Sequence, residues 1–196
     1  MRRTAGRALF AAGVLLLFVV AATYALGATH SDAARREWND EAARRDVASA
    51  RAATAHGALA PIAIGAPVAR LVIPRLDLDE IVLEGVGVAE LNAGPGHLPG
   101  SAQPGAAGNA IISAHRDRHF RRFDALRIGD TVRTETADGT QAWVIVERRI
   151  VDREAPALFR TREPTLTLTT CWPIRLAGPA PERLIVTAKP IPRQAG

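Results

Sequence analysis

Cysteine is almost missing from this chain: Cys171 is the only one in 196 residues. A single thiol excludes an internal disulfide framework and any multi-cysteine zinc site. Acidic residues are missing from the start, with none before Asp32, and no charge of either sign interrupts residues 8–28. No internal repeat is visible. Excess positive charge is also scarcer than the formal +5 suggests. Arg2, Arg3 and Arg7 supply three charges, so everything after residue 28 carries +5 − 3 = +2. That excludes a broad basic surface for nucleic acid. What is present is apolar: 47% hydrophobic residues exclude a wholly disordered chain, and the length suits one domain with a real core.

Residues 8–28 form an uncharged run of 21. As a helix it spans about 31 Å, the thickness of a bilayer's hydrocarbon core. Arginines precede the run and none lies within it, so Met1 is expected in the cytoplasm and the rest outside. A cleaved signal peptide is the rival, because Ala25, Leu26 and Gly27 offer small residues near a cleavage position. The run exceeds a signal peptide's usual core, which favours a retained anchor. The division expected is a basic tip and transmembrane anchor over 1–28, a helical stalk and linker over 29–67, and a body over 68–193.

The stalk, residues 31–56, is rich in Ala and Arg, and Arg36–Asp40 and Glu41–Arg45 are spaced to pair along a helix. Only Trp38, Val47 and alanines offer an apolar stripe, so a solvated or loosely docked helix is expected. Residues 57–67 then break the helix with Gly and Pro.

From Val68 the pattern becomes β. Residues 69–73, 80–86, 109–114, 131–137, 140–151, 165–171 and 183–189 read as strands, with Asp138-Gly139 as a hairpin turn and 120–126 as a short helical turn. Residues 92–108 hold five Gly and three Pro, which demands a long irregular loop. His97 within it reads as a loop-shaping residue. Many short strands with little helix indicate a mainly β fold, a closed or nearly closed barrel.

Cys171 ends the strand TLTLTTC. Alternation puts Leu166 and Leu168 on one face and Thr165, Thr167, Thr169 and Cys171 on the other. The leucines take the core, so the thiol faces a polar groove. A nucleophilic thiol needs a nearby base or cation. His115, after the run NAIISA, and Arg183, opening RLIVTA, are the candidates from neighbouring strand ends. Thr170 and Trp172 flank the thiol and are candidate groove residues, although Trp172 and Trp143 also suit packing.

These motifs resemble the sortases, membrane-anchored cysteine transpeptidases. Thr167-Leu168-Thr169-Thr170-Cys171 fits their TLxTC signature. Ala114-His115-Arg116-Asp117, Gly129-Asp130, Gly94-Pro95-Gly96-His97 and Glu182-Arg183 fall in the family's order. The run from His115 to Phe120 is most similar to the class D or proteobacterial (class GN) branch. That branch commonly has an aromatic where this chain has Ile174, which implies a reshaped groove.

The resemblance covers residues 68–190 and implies a sortase-like closed β-barrel. It implies Cys171 as nucleophile, His115 as general acid/base and Arg183 as the stabiliser of the oxyanion or substrate. It also implies partners: an exported protein bearing an LPXTG-like sorting motif, an amine acceptor in the envelope, and membrane lipid. No cofactor or metal is expected, and no acidic cluster is specific enough for calcium. The body is expected outside the cytoplasmic membrane, in the periplasm where a cell has two.

Two other readings compete. His115, Asp117 and His119 have a spacing that puts three metal ligands on one strand face, as in a metal-dependent hydrolase. A non-catalytic tethered β module binding an envelope partner requires a sealed, inert thiol. An L,D-transpeptidase is a poorer match, since Thr170 and Trp172 flank the cysteine where that family has His-Gly.

Overall fold

Two kinds of sequence produce two kinds of structure in the computed structural model, which describes residues 2–49, 62–154 and 160–192. The first is a single helix, α1 (Arg2–Ser49). Anchor and stalk do not separate at residue 28, because no proline lies in the segment and Ala28-Thr29-His30-Ser31 carries no helix breaker. The expected end of the stalk and most of the linker, residues 50–61, lie outside the described residues, as does the end of the body at 193. Side chains from Phe10 to Val20 are exposed, and the helix over Phe10–Glu41 contains a stretch long and apolar enough to cross a membrane, with a mean hydropathy of 2.2.

The stalk is docked more firmly than its composition suggests. Ala34 and Trp38, each 7% exposed, pack against Ile81, Leu83 and Ala93. Burying the Trp38 ring is worth about 2 kcal/mol, enough to hold a helix whose exposed face contributes little. Gly27 permits close approach, since a Cβ there would lie 2.7 Å from the Asn92 carbonyl oxygen. Arg35 reaches the Asp79 carbonyl at 2.6 Å, and Arg118 lies over the Tyr24 ring at 4.1 Å.

The second part is a closed barrel. Its strands are β1 (Pro67–Ile73), β2 (Leu78–Glu84), β3 (Gly96–His97), β4 (Asn109–Ser113), β5 (Thr131–Thr136), β6 (Gly139–Asp152), β7 (Thr165–Trp172) and β8 (Glu182–Pro190). Around the barrel the order is β1-β2-β3-β4-β7-β8-β6-β5, with β5 pairing back to β1. β2 starts and ends two residues early against expectation. Asp77 turns the chain in the left-handed region (φ 52°) before it, and Gly85 (φ 108°) stops it. The expected irregular loop over 92–108 contains the end of a short helix, α2 (Val88–Ala93), and β3, which closes the barrel between β2 and β4. The hairpin turn lies one residue early, at Ala137 and Asp138, with Gly139 (φ 123°) already paired to Thr136.

Alternation then sorts the barrel wall. Leu166 and Leu168 face inward opposite Ala188 and Val186, joined by Ala110, Ile112, Val132, Ile145 and Leu184 in one core. Trp143 is fully buried there, and its indole N–H donates to Thr134 Oγ1 at 2.8 Å. Phe120 and Phe123 stack at 4.4 Å and seal one end beside the β4 exit.

Candidate active site

The inward leucines of β7 force its alternate residues outward, so Cys171 stands on the outer face and is exposed. Antiparallel register pairs Cys171 directly with Arg183 on β8. On the other side β7 runs parallel to β4, with Ser113 opposite Thr169. His115 follows β4 by two residues, which carries it to the level of Cys171 two residues beyond Thr169. Three residues separated by up to 68 positions therefore lie at one end of three adjacent strands.

Several bonds fix this end. The Ala114 N–H donates to the Thr169 carbonyl at 3.2 Å, and Thr170 Oγ1 donates to the Ala114 carbonyl at 2.8 Å. Thr170 is thus buried and spends its hydroxyl inward on the strand that carries His115. It does not line the groove, because its side chain is on the leucine side of the alternation. Trp172 is half-buried and packs against the barrel core, so packing accounts for most of its ring. Ile174 is likewise buried in the core; it fills the interior rather than reshaping a groove.

Arg116 was not singled out from the sequence, although it adjoins His115. Its guanidinium donates to the carbonyls of Pro173 at 3.0 Å and Gly178 at 2.5 Å. It therefore clamps the loop after Cys171 onto the segment after β4. A planar fork reaching two carbonyls is a task lysine performs poorly. Thr169 Oγ1 was also unexpected: it is buried on the Cys171 face with no hydrogen-bond partner.

The electrostatics separate the members of the trio. Burial pushes the His115 imidazole below its ordinary 6.5. Asp117 opposes that shift, while Arg118 and His119 reinforce it. At neutral pH the ring is uncharged and able to accept a proton. Arg183 is half-buried, and its Nε donates to the Arg153 carbonyl at 3.3 Å, where β8 faces β6. Its other nitrogens hold no partner among the described residues, leaving guanidinium donors beside the thiol.

The metal arrangement does not form. Residues 116–120 are a run of turns, so the period-2 face that would align His115, Asp117 and His119 does not exist. His119 Nδ1 instead faces Glu80 Oε1 at 3.3 Å. Among the described residues, no group of three His, Cys, Asp or Glu side chains is placed to hold a metal ion. His97 lies elsewhere, fully buried on β3, with Nδ1 2.6 Å from Glu84 Oε2 and Nε2 2.9 Å from both the Ala102 carbonyl and Ser101 Oγ.

Comparison with known proteins bears on the family and fold of this barrel. The family model for the sortase domain matches residues 71–191. Sortase D of Bacillus subtilis (strain 168) is 34% identical over 121 residues, a match that spans 61% of this chain and 61% of that relative. Among solved structures, the catalytic domain of B. anthracis SrtD is 30% identical with a TM-score of 0.58, covering 71% of this chain and 97% of that one. A Sortase D5 transpeptidase of Clostridium perfringens superposes with a TM-score of 0.66 at 22% identity, over 86% of this chain and 99% of that one, which bears on fold alone.

Proposed function

The chain belongs to the sortase family, and from that premise we propose that it is a membrane-anchored cysteine transpeptidase acting on exported proteins. The substrate is a C-terminal sorting motif of LPXTG type, and the acceptor is an amine of the cell envelope. Neutral His115 takes the Cys171 thiol proton as Sγ attacks the scissile carbonyl carbon. The carbonyl oxygen becomes an oxyanion and accepts an N–H from Arg183, which cannot lose its proton. The imidazolium of His115 then returns the proton to the departing amine, the C–N bond breaks, and a thioester remains on Cys171. An incoming amine gives its proton to His115 and attacks the thioester; the C–S bond breaks as the new amide forms, and the imidazolium returns the proton to Cys171 Sγ. Water in place of the amine gives hydrolysis. The side chains supply every group in this sequence, and no cofactor enters it.

The observation that carries this reading is the register: Cys171 and Arg183 are direct cross-strand partners on the outer face, with His115 at the same level beyond β4. The exposed thiol argues against an inert tethered module. The apolar part of α1 supports a single-pass anchor, and the three arginines before it favour a cytoplasmic N-terminus with the barrel outside, periplasmic where two membranes are present. Membrane lipid is then a constant neighbour. The test is to incubate the full chain with a library of LPXTG-like peptides and follow the mass of the intact protein. An acyl adduct on Cys171 that hydroxylamine releases is expected. The same adduct on Cys171→Ala would sink the assignment.

A further inference from the structure

A cavity of about 400 Å³ lies between α1 and the barrel, outside the Cys171 groove. Its wall includes Tyr24 and Asp32 from the helix, Asp77 before β2, and His119, Arg121 and Arg122 from the turns that follow His115. Three features of its lining point to a ligand.

The first is its level. With residues 8–28 spanning the hydrocarbon core, Tyr24 lies about 6 Å inside its outer boundary and Asp32 about 6 Å beyond it. The cavity runs between these two residues, so it opens where acyl chains give way to headgroups, the usual depth for a tyrosine of an aromatic belt. Arg118 holds this level, with its guanidinium over the Tyr24 ring and bonded to the Asn92 carbonyl at 2.8 Å.

The second feature is open charge of both signs. Among the described residues Arg121 has no side-chain partner, and Arg122 has one long contact, 3.4 Å to the Leu76 carbonyl. Neither the Asp32 nor the Asp77 carboxylate holds a hydrogen bond or ion pair there. Charges that share one cavity without pairing are complementary to a ligand carrying both a cation and an anion. The third feature is an orphan. His119 Nε2 is buried without a partner, while Nδ1 faces the Glu80 carboxylate. With Nδ1 turned to the Glu80 carboxylate, Nε2 is the ring atom left to meet a ligand.

We propose that this cavity binds the headgroup of an ethanolamine-type phospholipid. Arg121 and Arg122 take the phosphate, and Asp32, Asp77 and His119 Nε2 accept the N–H groups of the ammonium. Choline has no N–H to give them, and a glycerol headgroup has no cation. The site rests on the anchored reading above, since only an anchored chain brings the cavity to the lipid surface.

The experiment uses the full chain in micelles with an equimolar mixture of phosphatidylethanolamine, phosphatidylcholine and phosphatidylglycerol of matched acyl chains, read by native mass spectrometry. Retention of the ethanolamine lipid about tenfold above the others is expected, the worth of a charge-assisted hydrogen bond. Arg121→Gln and Asp32→Asn should each erase that preference. Free phosphoethanolamine should displace the lipid, whereas inorganic phosphate should not. Equal retention of the three lipids, or a preference unmoved by both substitutions, overturns the site. Flotation with vesicles after an alkaline wash separates the two readings. A chain that fails to float overturns the anchor and the site together; one that floats without the preference overturns the site alone.

Discussion

His97 ends β3 and His115 follows the neighbouring β4 by two residues, yet they are opposites. His97 is fully buried and both ring nitrogens are occupied. The Ala102 carbonyl can only accept, so Nε2 must carry a proton, and Nδ1 shares the other with Glu84. Ser101, His97 and Glu84 even have the connectivity of a nucleophile, base and acid. The chain is inert, because the Ser101 hydroxyl donates to the Leu98 carbonyl at 2.7 Å and Nε2 has no lone pair to take its proton. His115 is half-buried, uncharged at neutral pH, and placed at the strand end that carries an exposed thiol and an under-bonded guanidinium. The cluster that holds the fold closes its valences; the one to which we assign the chemistry leaves them open.

The comparison breaks most sharply at the thiol. Cys171→Ala should lower turnover on the order of 10⁴-fold or more while leaving thermal unfolding unchanged, since the side chain is exposed. His97→Ala should do the reverse. It strands the Glu84 carboxylate, 6% exposed, without its partner, at a cost of about 3 kcal/mol or more. The melting temperature should fall by several degrees, while the kcat of the folded fraction stays within a few fold. A mutant as stable as the parent but inactive would place His97 in the chemistry. Arg183→Lys should reduce kcat/KM roughly 10²-fold with little change in stability, because a point charge does not reproduce the fork that meets the oxyanion. Unaltered rates would remove Arg183 from the mechanism. Thr170→Val is milder. Losing the bond to Ala114 should cost about 1 kcal/mol in denaturant titration. A loss several times larger would mean that the Ala114 carbonyl finds no other donor.

The strands were legible where alternation was regular and turns had distinct chemistry. The facing of Cys171 followed from Leu166 and Leu168 alone, since a one-residue slip would have sent both leucines into solvent. β3 was hidden because two paired residues inside a Gly/Pro run give no periodicity; Gly96 is there for close approach to the Gly85 carbonyl, which only coordinates reveal. The burial of His97 was equally illegible, since its partner Glu84 sits 13 positions away on another strand. The roles of Arg116 and Thr170 depend on carbonyls, and carbonyls have no sequence signal. The docked stalk was missed for a related reason. Trp38 and Ala34 make a narrow stripe, and its complement, Ile81, Leu83 and Ala93, is assembled only after the barrel folds.

The smallest effect tests the assignment of His115 as the base. Burial is the leading cause of its lowered pKa, and Asp117 is the group that restrains the fall. A half-buried imidazole that resists protonation has a consequence for folding. Below pH 6.5 the unfolded chain binds a proton that the native ring refuses, so this residue's share of stability is present above pH 6.5 and is lost as pH falls through the native pKa. In the proposed mechanism the same ring sets the acid limb of kcat/KM, because protonated His115 cannot accept the thiol proton; the limb should lie below pH 6.5. Asp117→Asn removes the opposing carboxylate and should carry that limb lower still, by a fraction of a pH unit, with the neutral-pH rate nearly unchanged. Arg118→Gln removes a like charge and should move it the other way. A limb that stays fixed in both variants would assign it to another group, and would leave desolvation of His115 as a feature of the fold without a share in the rate.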